Sequence, residues 1–249
     1  MNIIFYIVVG FIAEMIDGML GMAYGVSCRT FFTIFNFVPL NMVSAIVHFS
    51  ELPTSFLTMI SHLKFKNFDK KIMIELSVSG IIGVLIGINI SISYINFFEL
   101  IIDIYLIVMG FIILSKFFNN KKIEAQYSRK NYFLLGFLGA FFDTTGGGGY
   151  GPIVTGSLLA HNNDFSKVIG TVNSSEFFIT LISSIGFGII FNNIYLYFET
   201  VLGLIIGGIV AAPIAAKFCM KNTSRKMYFI VGVVLILLNV YNLILFLQY

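Results

Sequence analysis

The sequence predicts an all-α polytopic membrane protein of two inverted-topology repeats. Each repeat is a glycine-broken re-entrant helical hairpin plus three transmembrane helices. Three observations predict this. The 249 residues are 58% hydrophobic and 11% charged, whereas soluble domains carry about 25% charged residues. The second half of the chain repeats the first. The basic residues gather on one side of a bilayer for only one threading of the apolar segments.

Apolar segments run over residues 3–35, 42–63, 72–90, 97–118, 132–160, 168–191, 197–216 and 227–247. A spanning helix needs about 20 residues. The first and fifth segments are too long for one span, and glycine interrupts both. In the fifth the interruption reads Asp143-Thr-Thr-Gly-Gly-Gly-Gly-Tyr-Gly-Pro152. Each glycine costs a helix about 1 kcal/mol relative to alanine. Irregular backbone at membrane depth is tolerated only where it is buried in protein or lines a cavity.

The break occurs twice. Residues 10–25 align without a gap on 136–151, with Gly10/Gly136, Phe11/Phe137, Asp17/Asp143, Gly21/Gly147, Tyr24/Tyr150 and Gly25/Gly151 identical. With one residue deleted, 43–51 align on 168–176, keeping Val43/Val168, Val47/Val172, Ser50/Ser175 and Glu51/Glu176. A repeat of half the chain governs the fold. It divides one integral membrane domain into a first repeat (1–118), a basic cytoplasmic linker (119–131) and a second repeat (132–249).

Charge chooses between two threadings. If the first and fifth segments each cross once, Lys64, Lys66, Lys70, Lys71, Lys116, Lys121, Lys122, Arg129 and Lys130 face one side. Lys167, Lys217, Lys221, Arg225 and Lys226 then face the other, a poor fit to the positive-inside rule. If both segments are re-entrant, three crossings per half invert the second half, and all of these residues share one face. That face is expected to be the cytoplasm of a plasma membrane, with both termini outside. Inverted repeats with broken helices near the midplane are a plan of secondary transporters.

Several functions are excluded or unsupported. There is no phosphate-binding Gly-x4-Gly-Lys-Ser/Thr loop, so ATP-driven transport within this chain is not expected. Cys28 and Cys219 give no disulfide framework, no metal-ligand cluster is spaced for a cation, and no cofactor is expected. The basic residues lie in short loops and are not a nucleic-acid footprint.

The hairpin tips are the first candidate site. Helix starts at Gly146, Gly147, Gly148, Gly149 and Tyr150, and at Gly21 and Tyr24, would offer N–H groups and a partial positive charge to a small anion. The competing reading is close helix packing, which suits Gly83-x3-Gly87 and Gly207-x3-Ala211. Glu51 and Glu176 sit mid-helix at one place in the repeat. A carboxyl at that depth is a functional candidate, either carrying protons as the coupling ion or tying helix to hairpin by a hydrogen bond. His48 shares a helix face with Glu51 and pairs in the repeat with Asn173. It is a candidate pH-sensitive group or a satisfied core histidine.

His62 is expected at the interface. Asp17 and Asp143 precede the tips, and capping of the second half-helix is favoured over proton relay. Arg29, the one cation outside the basic loops, either attracts anions at the outer mouth or snorkels. Ser27, Cys28, Ser50, Thr155, Ser174 and Ser175 are candidates for a polar path.

These residues carry a resemblance that covers essentially the whole chain. Asp17-Gly-x2-Gly-Met-Ala-Tyr-Gly, Val47-His-x2-Glu51, Ser61-His62, Asn67-x-Asp69, Asp143 through Pro152 and Gly170-x-Val-Asn-x2-Glu176 resemble the sulfite exporter TauE/SafE family, also called the toluene-sulfonate uptake permease family. The resemblance implies a secondary transporter of sulfite, sulfonates or related small organic anions. The first tip departs from the glycine-rich pattern at Met19, Leu20, Met22 and Ala23, which shifts the substrate expectation to the second tip. The expected function is proton-coupled transport of a small sulfur-containing anion, with no enzyme activity. A passive anion channel and an intramembrane aspartyl hydrolase using Asp17 and Asp143 are the alternatives.

Overall fold

A computed structural model describes residues 3–35, 38–118, 129–146, 148–161, 164–191, 193–221 and 225–248. Among the described residues all regular structure is helical. The order is α1 (Ile3–Leu20), α2 (Tyr24–Phe35), α3 (Leu40–Phe65), α4 (Lys70–Phe118), α5 (Arg129–Gly146), α6 (Tyr150–His161), α7 (Phe165–Ile190), a 3-10 turn (Ile194–Tyr197), α8 (Phe198–Lys221) and α9 (Arg225–Gln248). Five helical stretches are long and apolar enough to cross a membrane: Ile3–Leu20, Met42–Phe65, Lys70–Ile90, Phe165–Ile190 and Ile194–Cys219.

The two long apolar segments are each divided into two helices. α1 stops at Leu20, beyond which Gly21 and Ala23 take left-handed φ values of +66° and +87°. α5 stops at Gly146, and Gly148 has φ +150°. Gly147, a predicted tip residue, lies outside the described residues, as does 119–128 of the expected linker.

Segments 72–90 and 97–118 both lie within α4 (Lys70–Phe118). The first runs along α5 from the basic end, with Gly83 on Phe137 and Gly87 on Thr144. In the second, Ile101 and Tyr105 lie with Leu135 and Leu138, back toward the start of α5, so it doubles back beside the first. The two parts of α4 pack on different partners. Gly80, Gly83 and Gly87 lie on Phe137, Ala140, Phe141 and Thr144 of α5, whereas Gly110 lies on Leu235 and Ile236 of α9.

Each hairpin helix packs on the other half of the chain. α5 lies on the first part of α4. α1 lies on α8, where Gly10 faces the Leu204 backbone and Gly207 faces the backbone of Ile7 and Phe11. In both seams a Cβ would collide with main chain, so glycine is what permits the approach. Centrally, α3 and α7 run antiparallel. Ser184 Oγ donates to the His48 carbonyl at 3.0 Å, Phe56 packs on Phe177, and His62 meets Asn173.

One end of the molecule is basic. Asn67 Nδ2 donates to Ser166 Oγ at 3.1 Å, the Asp69 N–H donates to Thr171 Oγ1 at 2.8 Å, and Lys167 Nζ lies 3.5 Å from Asp69. These contacts bring together the end of α3 and the starts of α4 and α7. Cys219 of α8 faces Ser166, and Tyr132 of α5 faces Asp69 and Glu75. Lys64, Lys66, Lys70, Lys71, Lys167 and Lys217 therefore surround one end. α5 and α7 both start there, while α1 starts at the other end, beside Gly203 of α8.

Candidate functional site

The two tips meet inside the helical ring. Gly148 lies against the backbone of Gly25 and Val26, and Gly151 against that of Gly21 and Met22. Thr155 Oγ1 donates to the Gly21 carbonyl. The second tip folds back on its own helix, because Tyr150 and Val154 pack on Gly139 of α5.

Each tip is held by its own aspartate. Asp143 Oδ1 accepts from the N–H of Gly149 at 2.7 Å and of Tyr150 at 3.1 Å. Asp17 Oδ1 accepts from the Tyr24 N–H at 3.4 Å. In this conformation the N–H groups of Gly149 and Tyr150 are thus engaged by a carboxylate. Gly146 ends α5, and Gly148 carries the inter-tip contact.

Around the tips stands a buried polar cluster. Glu51 and Glu176 are each 5% exposed, as are Asp17 and Asp143, and Glu14 is 1% exposed. Glu51 and Glu176 each lie near enough to Glu14, Asp17 and Asp143 to feel their charge. His48 joins two of them. Its Nδ1 is 3.8 Å from Glu51 Oε2, its Nε2 is 3.6 Å from Asp143 Oδ2, and its ring stacks on Phe187. Both distances exceed a hydrogen bond, so the two ring nitrogens are buried without a partner, as is Tyr24 Oη. A buried polar atom left unsatisfied in this way needs a ligand, a water or a shift of structure to complete it.

The other predicted residues divide. Tyr150 Oη bonds Ser175 Oγ at 2.7 Å, which ties the second tip to α7. Asn173 offers its amide to His62 at 3.4 Å, and its Oδ1 has no partner. Ser50 spends its hydroxyl on the Ile46 carbonyl of its own helix. No group of three or more His, Cys, Asp or Glu residues is arranged for a metal among the described residues. A cavity of about 200 Å³ lined by Ile101, Tyr105, Leu135, Leu138, Phe142 and Ile153 lies between α4, α5 and α6. Its walls are almost wholly apolar, so it offers an anion little.

Two residues differ from the sequence reading. His62 is fully buried rather than interfacial: its Nδ1 meets Asn67 Oδ1 at 3.1 Å and its Nε2 meets Asn173. The loop after α3 folds over it and removes it from the interface. Glu14 was passed over. The repeat sets it against Ala140, so a reading keyed to repeated identities misses it. The signal available was a lone carboxylate in an apolar segment, one turn before Asp17.

Comparison with known proteins agrees with this arrangement. The profile of the family described as sulfite exporter TauE/SafE matches residues 6–242. The chain is 36% identical over 256 residues to the probable membrane transporter protein YtnM of Bacillus subtilis, covering 98% of this chain and 83% of the relative. No solved structure matches.

Proposed function

The chain belongs to the sulfite exporter TauE/SafE family of membrane transporters, and on that footing we propose that it is a secondary transporter coupling protons to a small sulfur-containing anion such as sulfite, thiosulfate or a sulfonate. One observation carries the reading. Two glycine tips from opposite halves meet beside five buried carboxyls and a histidine whose ring nitrogens are unsatisfied. The anion sits between the tips, against Gly148, Tyr24 and Tyr150, with Ser175 and Asn173 behind it. Glu51, Glu176 and His48 take up and release protons as the helices rock.

The placement of helix ends supports inverted, re-entrant hairpins. α5 and α7 start at the basic end, and the packing of Val154 on Gly139 supports a return of α6 toward it. α1 starts at the opposite end, where α3 also starts. The first hairpin therefore enters from one face and the second from the other. The basic end is cytoplasmic by the positive-inside rule, and both termini lie outside a plasma membrane.

Flux of labelled sulfite, thiosulfate and a sulfonate into proteoliposomes tests this, with and without a proton gradient. Saturable, gradient-driven flux that Glu51→Gln and Glu176→Gln abolish is expected. Flux that ignores both the gradient and the two substitutions refutes proton coupling. Absence of flux with all three anions refutes the substrate class.

A further inference from the structure

Along α3, the residues at 48, 51, 54, 58 and 62 fall at intervals of three or four, which places them on one face. They are His48, Glu51, Thr54, Thr58 and His62, and all are at most 5% exposed. Glu14 of α1 lies against the middle of this file. Thr58 Oγ1 donates to Glu14 Oε1 at 2.6 Å, Thr54 faces the same carboxyl, and the Thr54 hydroxyl donates to the Glu51 carbonyl at 3.0 Å. His62 closes the file at the basic end. Beyond it come Asn67, Ser166 and the half-exposed pair of Asp69 and Lys167.

The second half has no such file. The repeat sets His48, Glu51, Thr54, Thr58 and His62 against Asn173, Glu176, Ile179, Ser183 and Phe187 of α7. Two of these, Ile179 and Phe187, cannot pass a proton, and Phe187 stacks on His48. Glu14 is likewise opposite Ala140. The polar continuity is therefore one-sided, and it points to the basic face.

We infer that Glu14 is a further proton-carrying carboxyl, and that it exchanges protons with the basic face along Thr54, Thr58 and His62. The inference rests on the proton-coupled reading of the cluster. His62 holds one amide at each ring nitrogen, accepting from Asn173 and donating to Asn67, so its neutral ring is fixed in one tautomer. Thr58 and His62 are one turn apart on α3, about 6 Å of rise, and one bridging water between the two side chains would complete the step. The proton that leaves Glu14 passes to the hydroxyl of Thr58 as that hydroxyl gives up its own. At His62 the arriving proton takes the Nε2 lone pair in place of the Asn173 N–H, the ring then releases its Nδ1 proton toward the basic-end solvent, and a return to the starting tautomer completes the cycle.

Other titratable groups face these two residues. Around Glu14 they are Asp17 on its own helix, Tyr24 and Cys28 on α2, Glu51 on α3 and Glu176 on α7. From α8, Gly208 lies against the Glu14 side chain. His62 is faced by Asn67, Asn173 and the Gly18 backbone.

The test separates net flux from exchange. In proteoliposomes, proton-driven net uptake and substrate exchange at equal pH are measured for the wild type, Glu14→Gln, Thr58→Val and His62→Gln. Exchange moves no net proton, so a proton-path residue leaves it intact. The expected result is a loss of net uptake of at least about tenfold with exchange kept within about twofold, a selective cost of about 1.4 kcal/mol or more on the proton step. Wild-type behaviour of Glu14→Gln in both assays overturns the inference. So does an equal loss in both assays, which would make Glu14 part of the substrate seat or of the fold. A sodium gradient that drives wild-type uptake and fails with Glu14→Gln would also overturn it, making the site a cation site. A wild type with no proton dependence sinks the underlying coupling instead, and is recognised before any variant is read.

Discussion

Gly148→Ala should both destabilise the protein and stop transport, and its magnitude follows from the tip geometry. Gly148 has φ +150°, a region that non-glycine residues hold only at a cost of about 1–3 kcal/mol. Its added methyl would lie 2.5 Å from the Gly25 carbonyl carbon and 2.8 Å from the Gly25 Cα. Those atoms are backbone and cannot rotate away, so overpacking adds about 1–3 kcal/mol. The sum is about 2–6 kcal/mol, or a melting point lower by at least about 4 °C in a chain of this size. Gly188→Ala is the control. Its methyl meets only the end of the Phe49 ring at 3.2 Å, and alanine favours a helix by about 1 kcal/mol, so its melting point should hold or rise. Thermal aggregation in detergent reads both variants, and proteoliposome flux reads the tip contact. A Gly148→Ala protein that melts within about 1 °C of wild type would refute the inter-tip contact.

Asp143→Ala should cost more than Asp17→Ala. Asp143 accepts two backbone N–H bonds at 2.7 and 3.1 Å, Asp17 one at 3.4 Å, and bonds to a charged acceptor are worth about 1.5–3 kcal/mol each. Equal melting points for the two variants would refute the unequal capping. At the basic end, Asp69→Ala should lower stability by about 1 kcal/mol, because Asp69 Oδ1 caps α4 through the N–H groups of Lys71 and Ile72. Lys167→Ala should change it by no more than about 0.5 kcal/mol, since it breaks only an exposed ion pair. A larger loss for Lys167→Ala would show that the ion pair, not the cap, holds this loop.

The repeat and the glycine breaks were legible because they are written in residue identity. Asp17 and Asp143 align, and so do Glu51 and Glu176. Tertiary placement was not. Nothing in the sequence says that α1 packs on α8 rather than on its own half, because Gly10 and Gly207 show only that something comes close. The loop at Asn67 that buries His62 is polar and near lysines, which reads as interfacial until Ser166 is known to lie opposite it. Glu14 was invisible to a comparison of halves, because it is a feature the halves do not share.

The site presents a problem of charge that the mechanism must solve. Two like charges about 6 Å apart at an effective dielectric near 20 repel by about 3 kcal/mol. Among five buried carboxyls, several such pairings would match the whole stability of a fold, about 5–15 kcal/mol. They cannot all be ionised at once, and His48, the histidine within 4 Å of Glu51 and Asp143, can offset no more than one charge. An anion entering between the tips meets the same repulsion from every carboxyl still ionised. A cluster that is neutral when the anion is present, and is restored by losing protons once the anion has left, meets both constraints. A channel would gain nothing from such a cluster, because its carboxyls would only raise the barrier to anions. Five acids beside the proposed anion seat therefore favour the proton-coupled carrier over the channel.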